Sequence, residues 1–231
     1  MPANISYTQK MIMKNKILFV LLFSVVSVCH AQFETGKKII GGQMQLGFSN
    51  YNYNPGSTTA TEQHFSQFST SLSLSRFKSP TLLNGFGISY VYNYNNAIGN
   101  ILDNSHTIGV FVNSTKLQPL ANKFYLSFTG TAGAGYGFGK TNFVNSTNYT
   151  KSKGYNVYVS GGMGLLYQLN HRFLLSCGLT NLLNMSYNHG DITIYSGTNV
   201  NESKNNSVNL SSGLSGFSLN NLAVGVRYML K

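Results

Sequence analysis

Three of the four histidines beyond position 31 stand beside a carboxylate: Glu62/His64, Asp103/His106 and His189/Asp191. Imidazole and carboxylate are ordinary divalent-metal ligands, and the same pair can exchange a proton with a substrate. His64-Phe65-Ser66 sets an imidazole and a hydroxyl two residues apart, the spacing of one strand face. Each pair lies in a stretch rich in Asn and Ser, where polar side chains crowd together on solvated loop tips without any chemistry. No catalytic residue, metal ligand or cofactor is assigned from them. Tyr51, Tyr53, Tyr149 and Tyr195 also sit amid Asn and Ser, a mixture of rigid aromatic area and adaptable hydrogen bonding that suits contact with a ligand. These tyrosines, with His64, His106 and His189, are the weak candidates for binding on the loops. Gly133-x-Gly135-x-Gly137-x-Gly139 has phosphate-loop glycines, but no helix follows and its amides belong to a strand ladder.

The chain that must position these groups has 231 residues, of which 9% are charged and 42% apolar, with no Trp. Soluble domains carry about 25% charged residues. Mean hydropathy is nevertheless −0.06, so the polarity comes from Ser, Thr, Asn, Gln and 24 Gly instead of ions. That balance excludes a disordered chain and a helical membrane bundle, and the scarcity of Glu, Lys and Ala disfavours helix.

Lys14 and Lys16, the apolar run Ile17 to Val28, and Cys29-His30-Ala31 before Gln32 read as a cleaved secretory leader over residues 1–31. The apolar run is shorter than the ~20 residues a membrane-spanning helix needs. Three of the 16 Lys+Arg and none of the 5 Asp+Glu precede position 32, so residues 32–231 carry a formal +8. The basic residues are scattered singly or in pairs, which is no nucleic-acid footprint and fits attraction to anionic lipid heads. Cys177 is then the lone thiol, read as a small buried hydrophobe.

Period-2 alternation recurs along residues 32–231, with almost no helical period. Even positions of Phe124 to Gly139 are large or apolar while odd positions after Tyr125 are Ser, Thr and Gly; from Tyr155 to Leu169 the parity reverses. The same rule marks Ile40 to Phe48, Phe68 to Leu74, Phe86 to Tyr94, Ile108 to Val112, Phe173 to Tyr187 and Leu222 to Leu230, with a bulge near Asn220-Asn221. The eight strands are joined by long loops (about 50–64, 95–105, 140–154 and 188–214) that alternate with short turns (78–84, 116–123 and 168–172). This is the pattern of a meandering barrel in a membrane, with short turns on one side and long loops on the other.

The fold class expected is therefore all-β, an eight-stranded antiparallel up-and-down transmembrane β-barrel. A soluble, lipocalin-like ligand carrier also alternates, but it turns its apolar face inward and should carry Lys and Glu outside. Here the polar face is Gly, Ser, Thr, Asn and Gln, and aromatics cluster at both ends of the apolar face, as interfacial girdles require. Eight strands leave a lumen that side chains can fill. Inward glycines such as Gly133, Gly135 and Gly164 leave space for Phe111, Tyr125, Tyr158, Leu166 and Leu182. Arg227 is the one inward charge deep in a strand, with no inward Asp or Glu to pair with it; it is read as hydrogen-bonded to lumen waters or carbonyls, with a gating charge as the sharper alternative.

The run Phe124 to Gly139, the leader ending Cys-His-Ala-Gln and the closing Asn221-Leu-Ala-Val-Gly-Val-Arg-Tyr-Met-Leu-Lys231 together resemble a small eight-stranded bacterial outer-membrane barrel. The group is that of OmpA and OmpX, in the Bacteroidetes form. The resemblance covers residues 32–231 and implies a cell-outer-membrane address and contact with outer-membrane lipid. It also implies delivery to the barrel-insertion machinery through a C-terminal signal, here Val224, Val226, Tyr228 and Leu230, although the chain ends in Lys231 instead of an aromatic. The resemblance is architectural and specifies no reaction; the role expected from the loops is structural or surface-interaction, toward an extracellular partner, and not that of an enzyme. Two other readings stay open at this point: a narrow pore for small solutes, and a rim hydrolase like the barrel lipid A deacylases, whose His-x-Ser motif only His64-Phe65-Ser66 matches.

Overall fold

The computed structural model describes residues 33–53, 61–97, 101–143, 146–212 and 222–230, with the backbone alone at 49–53, 61–63, 97 and 101. The leader expected over 1–31 and the bulge expected near Asn220-Asn221 lie outside them. The described strands are β1 (Lys38–Tyr53), β2 (Thr61–Ser79), β3 (Leu82–Ala97), β4 (Ile101–Ala121), β5 (Phe124–Phe143), β6 (Tyr149–Gln168), β7 (Phe173–Ser196), β8 (Asn199–Ser212) and β9 (Leu222–Met229).

From β1 to β7 each strand pairs antiparallel with the next. β9 pairs on one side with β1, from Ile39↔Met229 to Gln45↔Ala223, and on the other with β7, from Phe173↔Tyr228 to Leu179↔Leu222, which closes the ring. β8 pairs with the remainder of β7, from Leu183↔Ser212 to Ser196↔Asn199. It therefore stands above β9 on the same side of β7, and the two share the eighth position of the barrel. The expected eight-stranded up-and-down barrel is present, with its last strand in two pieces.

The turns after β2, β4 and β6 and both ends of the described chain lie at one rim, here called lower. Two of these turns are two-residue links, Pro80-Thr81 and Asn122-Lys123, and Lys123 takes the left-handed φ of 68° that such a turn needs. Pro119 falls at the irregularity between Pro119 and Ala121, where the register shifts and a residue without an N–H is tolerated.

The upper side departs from the expectation. The segments read as long loops are largely strand: β1, β3, β5 and β7 run on to Tyr53, Ala97, Phe143 and Ser196, and β7 turns back into β8 through Gly197-Thr198. A 20-residue strand such as β5 spans about 66 Å of chain, about 50 Å of height at a ~40° tilt, against an apolar band of ~25 Å. The excess forms β-hairpin extensions. Most of their residues are polar, so the period-2 signal is thin there; in β8, exposed along nearly all its length, only Val200, Val208 and Leu210 carry it.

The apolar parity faces outward. Ile88, Val110, Val159, Met185 and Val224 are all exposed on the outer wall. The lipocalin-like reading, which needs them inside, does not hold. The buried apolar core sits at the lower rim: Phe33, Ile39, Phe77, Leu83, Leu117, Tyr125, Leu166, Leu174 and Met229 close the barrel floor. Phe77 is 1% exposed and stacks on Phe33, ring centroids 4.7 Å apart. Burial of such a side chain contributes about 1.5–3 kcal/mol. Tyr125 and Leu166 thus fill the floor instead of the glycine gaps expected for them.

Candidate functional site: upper wall and lumen

Above the apolar band, alternation keeps even residues of β3, β4 and β5 and odd residues of β6 and β7 on the outside. His106 is one of these. It stands in β4 between Tyr92 and Phe138 in the ladder, its Nδ1 2.8 Å from the Tyr90 hydroxyl and its ring 5.2 Å from that of Phe138 at 20°. His106 therefore belongs to the aromatic girdle, not to a loop tip. Asp103, one of odd parity, turns to the lumen and accepts a hydrogen bond from Thr141 at 3.0 Å, so the expected Asp103/His106 pair does not form. His64 is exposed on β2 with Asn50 and Asn96 in register; the side chain of Glu62, and those of Tyr51 and Tyr53, lie outside the described residues.

The third pair is real. His189 Nε2 is 3.8 Å from Asp191 Oδ1, while Nδ1 donates to Asn206 Oδ1 at 2.6 Å. Tyr187 donates to the same oxygen at 3.2 Å, and Tyr155 lies 4.9 Å from the His189 ring. The imidazole is thus held by β8 and by girdle rings, a fixed position and not a flexible loop. Among the described residues no three His, Cys, Asp or Glu side chains gather as a metal site.

Tyr149 and Tyr195 are opposite each other in the β6–β7 ladder and stack at 4.4 Å and 16°. Lys140 Nζ lies 4.9 Å from the Tyr149 ring centre; Lys151 Nζ lies 5.7 Å from Tyr149 and 5.5 Å from Tyr195. Each such contact is worth about 0.5–1 kcal/mol at an exposed site. Lys140 and Lys151 are directly opposite in the β5–β6 ladder, where like charges repel. Neither pairs with a carboxylate among the described residues. Sequence reading singled out the two tyrosines but missed the lysines; the parity that puts Tyr149 outside also puts Lys151 there.

Inside, the wall is glycine, hydroxyl and amide. Gln67 donates to Asn93 and Asn93 to Ser105, and Thr115 meets Thr129 at 3.0 Å. A Cβ on Gly133 would lie 2.7 Å from the Tyr158 ring, so this glycine makes room for an aromatic that reaches Ser89 across the lumen. Phe111 lies over Gly87 in the same way. A cavity of about 390 Å³ remains, and among the described residues Arg227 is the only charged one lining it. Asp103 corrects the expectation that no acid faces inward, but it stands eight residues up β4 from Phe111, the position in register with Arg227 through β1, β2 and β3.

At the lower rim, Val224 and Val226 are exposed outward, and Tyr228 packs on Phe173 at 5.0 Å with Arg172 Nη1 donating to its hydroxyl at 3.5 Å. Leu230 N donates to Lys38 O at 2.8 Å. Cys177 is exposed on the same outer wall, opposite Val224, and is not the buried residue expected.

No protein-family model matches the chain, and no curated protein matches it. Among solved structures the chain is similar to a major outer membrane protein from Thermus thermophilus, at 11% identity and TM-score 0.47 over 85% of this chain and 100% of that one. It is also similar to OprG from Pseudomonas aeruginosa, at 13% identity and TM-score 0.46 over 87% and 99%. A third is Ail from Yersinia pestis, at 12% identity and TM-score 0.41 over 85% and 100%.

Proposed function

We propose that the chain is an integral protein of the bacterial outer membrane and that its upper hairpins are surface-interaction elements meeting anionic headgroups at the outer face. The location rests on the apolar band that runs outward around the closed ring between two aromatic levels, an arrangement stable only against hydrocarbon. The Phe124–Tyr167 and Phe173–Tyr228 pairs mark its lower level, and His106–Phe138 and Tyr155–Tyr187 its upper one. With both described chain ends below, the hairpins point outward from the cell, and Val224, Val226, Tyr228 and Leu230 supply the edge read by the insertion machinery.

The interaction is carried by Lys140 and Lys151, opposed in register over the stacked tyrosines without a carboxylate. An anionic lipid head relieves that repulsion, and two charges near a surface are each worth about 1 kcal/mol. The apolar floor argues against the narrow-pore reading, since a solute would have to displace Phe77 and Phe33. No catalytic role is proposed for His64, His106 or His189.

The test has two arms. The mature chain should fractionate with the outer membrane and change electrophoretic mobility on boiling; a detergent-free periplasmic protein would end the membrane reading. Reconstituted barrel should then recruit anionic over zwitterionic lipid to its boundary, and Lys140→Gln with Lys151→Gln should remove that preference. An unchanged preference in the double variant would remove the lysine site while leaving the membrane assignment standing.

A further inference from the structure

The Arg227 side chain has no hydrogen bond or ion pair among the described residues, yet it is enclosed by the barrel wall near the floor. Directly opposite are Gly41 on β1 and Leu174 on β7, and Leu174 belongs to the apolar floor, as does Met229 two residues below. The guanidinium therefore stands just above a closed apolar base, at the bottom of the polar cavity. A Cβ on Gly41 would lie 3.3 Å from the Arg227 Cγ and 3.1 Å from the Ser73 hydroxyl, so the missing side chain at 41 is what lets the arginine stem lie against the wall.

The groups around it are neutral. Ser73 is opposite Gly41, and Gln43 and Ser176 are both opposite Gly225, one inward step above Arg227. Hydroxyls and amides of this kind donate hydrogen bonds without bringing a counter-charge. A guanidinium with no carboxylate beside it in the described cavity lining favours an anion from solution over water alone. Its planar fork of five N–H donors matches the two oxygens of a carboxylate or an oxyanion. A cavity of about 390 Å³ lies within the range of small-molecule sites.

We propose that the lumen is a blind well that binds a small carboxylate or inorganic oxyanion through Arg227, with Ser73, Ser176 and Gln43 as neutral donors beside it. This reading does not depend on what the hairpins bind outside. It requires no passage through the floor, and it explains why, among the described residues, the one charge in the cavity lining is a cation whose side chain has no partner.

The chain has three arginines, Arg76, Arg172 and Arg227, so the guanidinium Nε–Hε region of a nitrogen-15 spectrum holds three side-chain signals. The refolded mature barrel in neutral detergent is titrated separately with acetate, succinate and inorganic phosphate, at ionic strength fixed with sodium chloride. The Arg227 signal is identified by its loss in Arg227→Lys. A saturable shift of that signal alone is expected, with apparent affinity falling about tenfold or more in Ser73→Ala combined with Ser176→Ala as two donors are lost. Saturation by phosphate alone assigns the well to oxyanions, and saturation by acetate or succinate assigns it to carboxylates. Equal drift of all three signals, or no shift with any of the anions, overturns the proposal. Boiled against unboiled mobility shows in each case that the variant is folded, and the wild-type titration stands even where a variant is not.

Discussion

Val110 offers the sharpest test of which face meets lipid. It is 60% exposed, with Ile88 and Ala134 beside it in register, and it lies four residues from His106 in the upper girdle and four from Ser114 below. Four residues of a strand tilted by ~40° rise about 10 Å, so Val110 sits near the middle of a ~25 Å band and Ser114 near its lower edge. An arginine at the midplane of such a wall destabilises by about 2–4 kcal/mol, and at the interface by about 0–1. Val110→Arg should therefore lower the folded-to-unfolded ratio about 30- to 900-fold, while Ser114→Arg changes it about fivefold or less. Urea titration in phosphocholine vesicles, read from the boiled and unboiled bands, measures both. If Val110→Arg proves no more costly than Ser114→Arg, the outer wall is wetted at its centre and the membrane assignment is wrong.

Cys177, on the outer wall opposite Val224, should resist a membrane-impermeant maleimide in vesicles and react once the chain is unfolded; rapid labelling of the folded protein would place that wall in water. Gly133→Ala puts a Cβ against the Tyr158 ring and should cost about 1–3 kcal/mol in the same urea assay, whereas Gly130→Ala, with nothing within 4 Å, should stay within about 0.5. Equal costs would show that Tyr158 does not rest over Gly133. Phe77→Ala removes a ring stacked on Phe33 in the floor and should cost about 3–5 kcal/mol, with wild-type barrel showing no solute-dependent conductance in planar bilayers. Steady conductance in wild type would mean that the floor does not seal.

The alternation of Ile108, Val110 and Val112 fixed the outward face because strand side chains alternate without exception through a regular ladder. Continued upward, the same parity puts His106 outside and Asp103 inside; the Asn- and Ser-rich composition of residues 95–105, which reads as loop, obscures it. That boundary was not legible, since most residues of the hairpin extensions are polar and only scattered ones such as Val200, Val208 and Leu210 keep the period-2 contrast. Cys177 shows a related ambiguity: an apolar position reads alike whether it faces a protein core or lipid, and only the closed ring separates the two. The floor was hidden for another reason. Phe33, Phe77, Leu117 and Met229 are far apart in the chain and meet only when eight strands close. Lys140 and Lys151 became a pair through ladder register, which composition does not carry.

Wall and lumen divide the chemistry of this barrel. Outside, charge is kept out of the apolar band and gathered above it, where Lys140 and Lys151 oppose each other and Lys153 faces Asp191 in the ladder. Inside, charge is nearly abolished: hydroxyls, amides and glycines line the cavity, and their hydrogen bonds close on one another, as Gln67, Asn93 and Ser105 do. Such a wall holds water without attracting ions of either sign, so a single guanidinium near the floor sets the electrostatic character of the whole cavity. Because the floor is apolar and closed, that character cannot select a permeant ion; it acts only on what enters from above and stops. The two sites are therefore separable by mutation, and each can fail its test without touching the other.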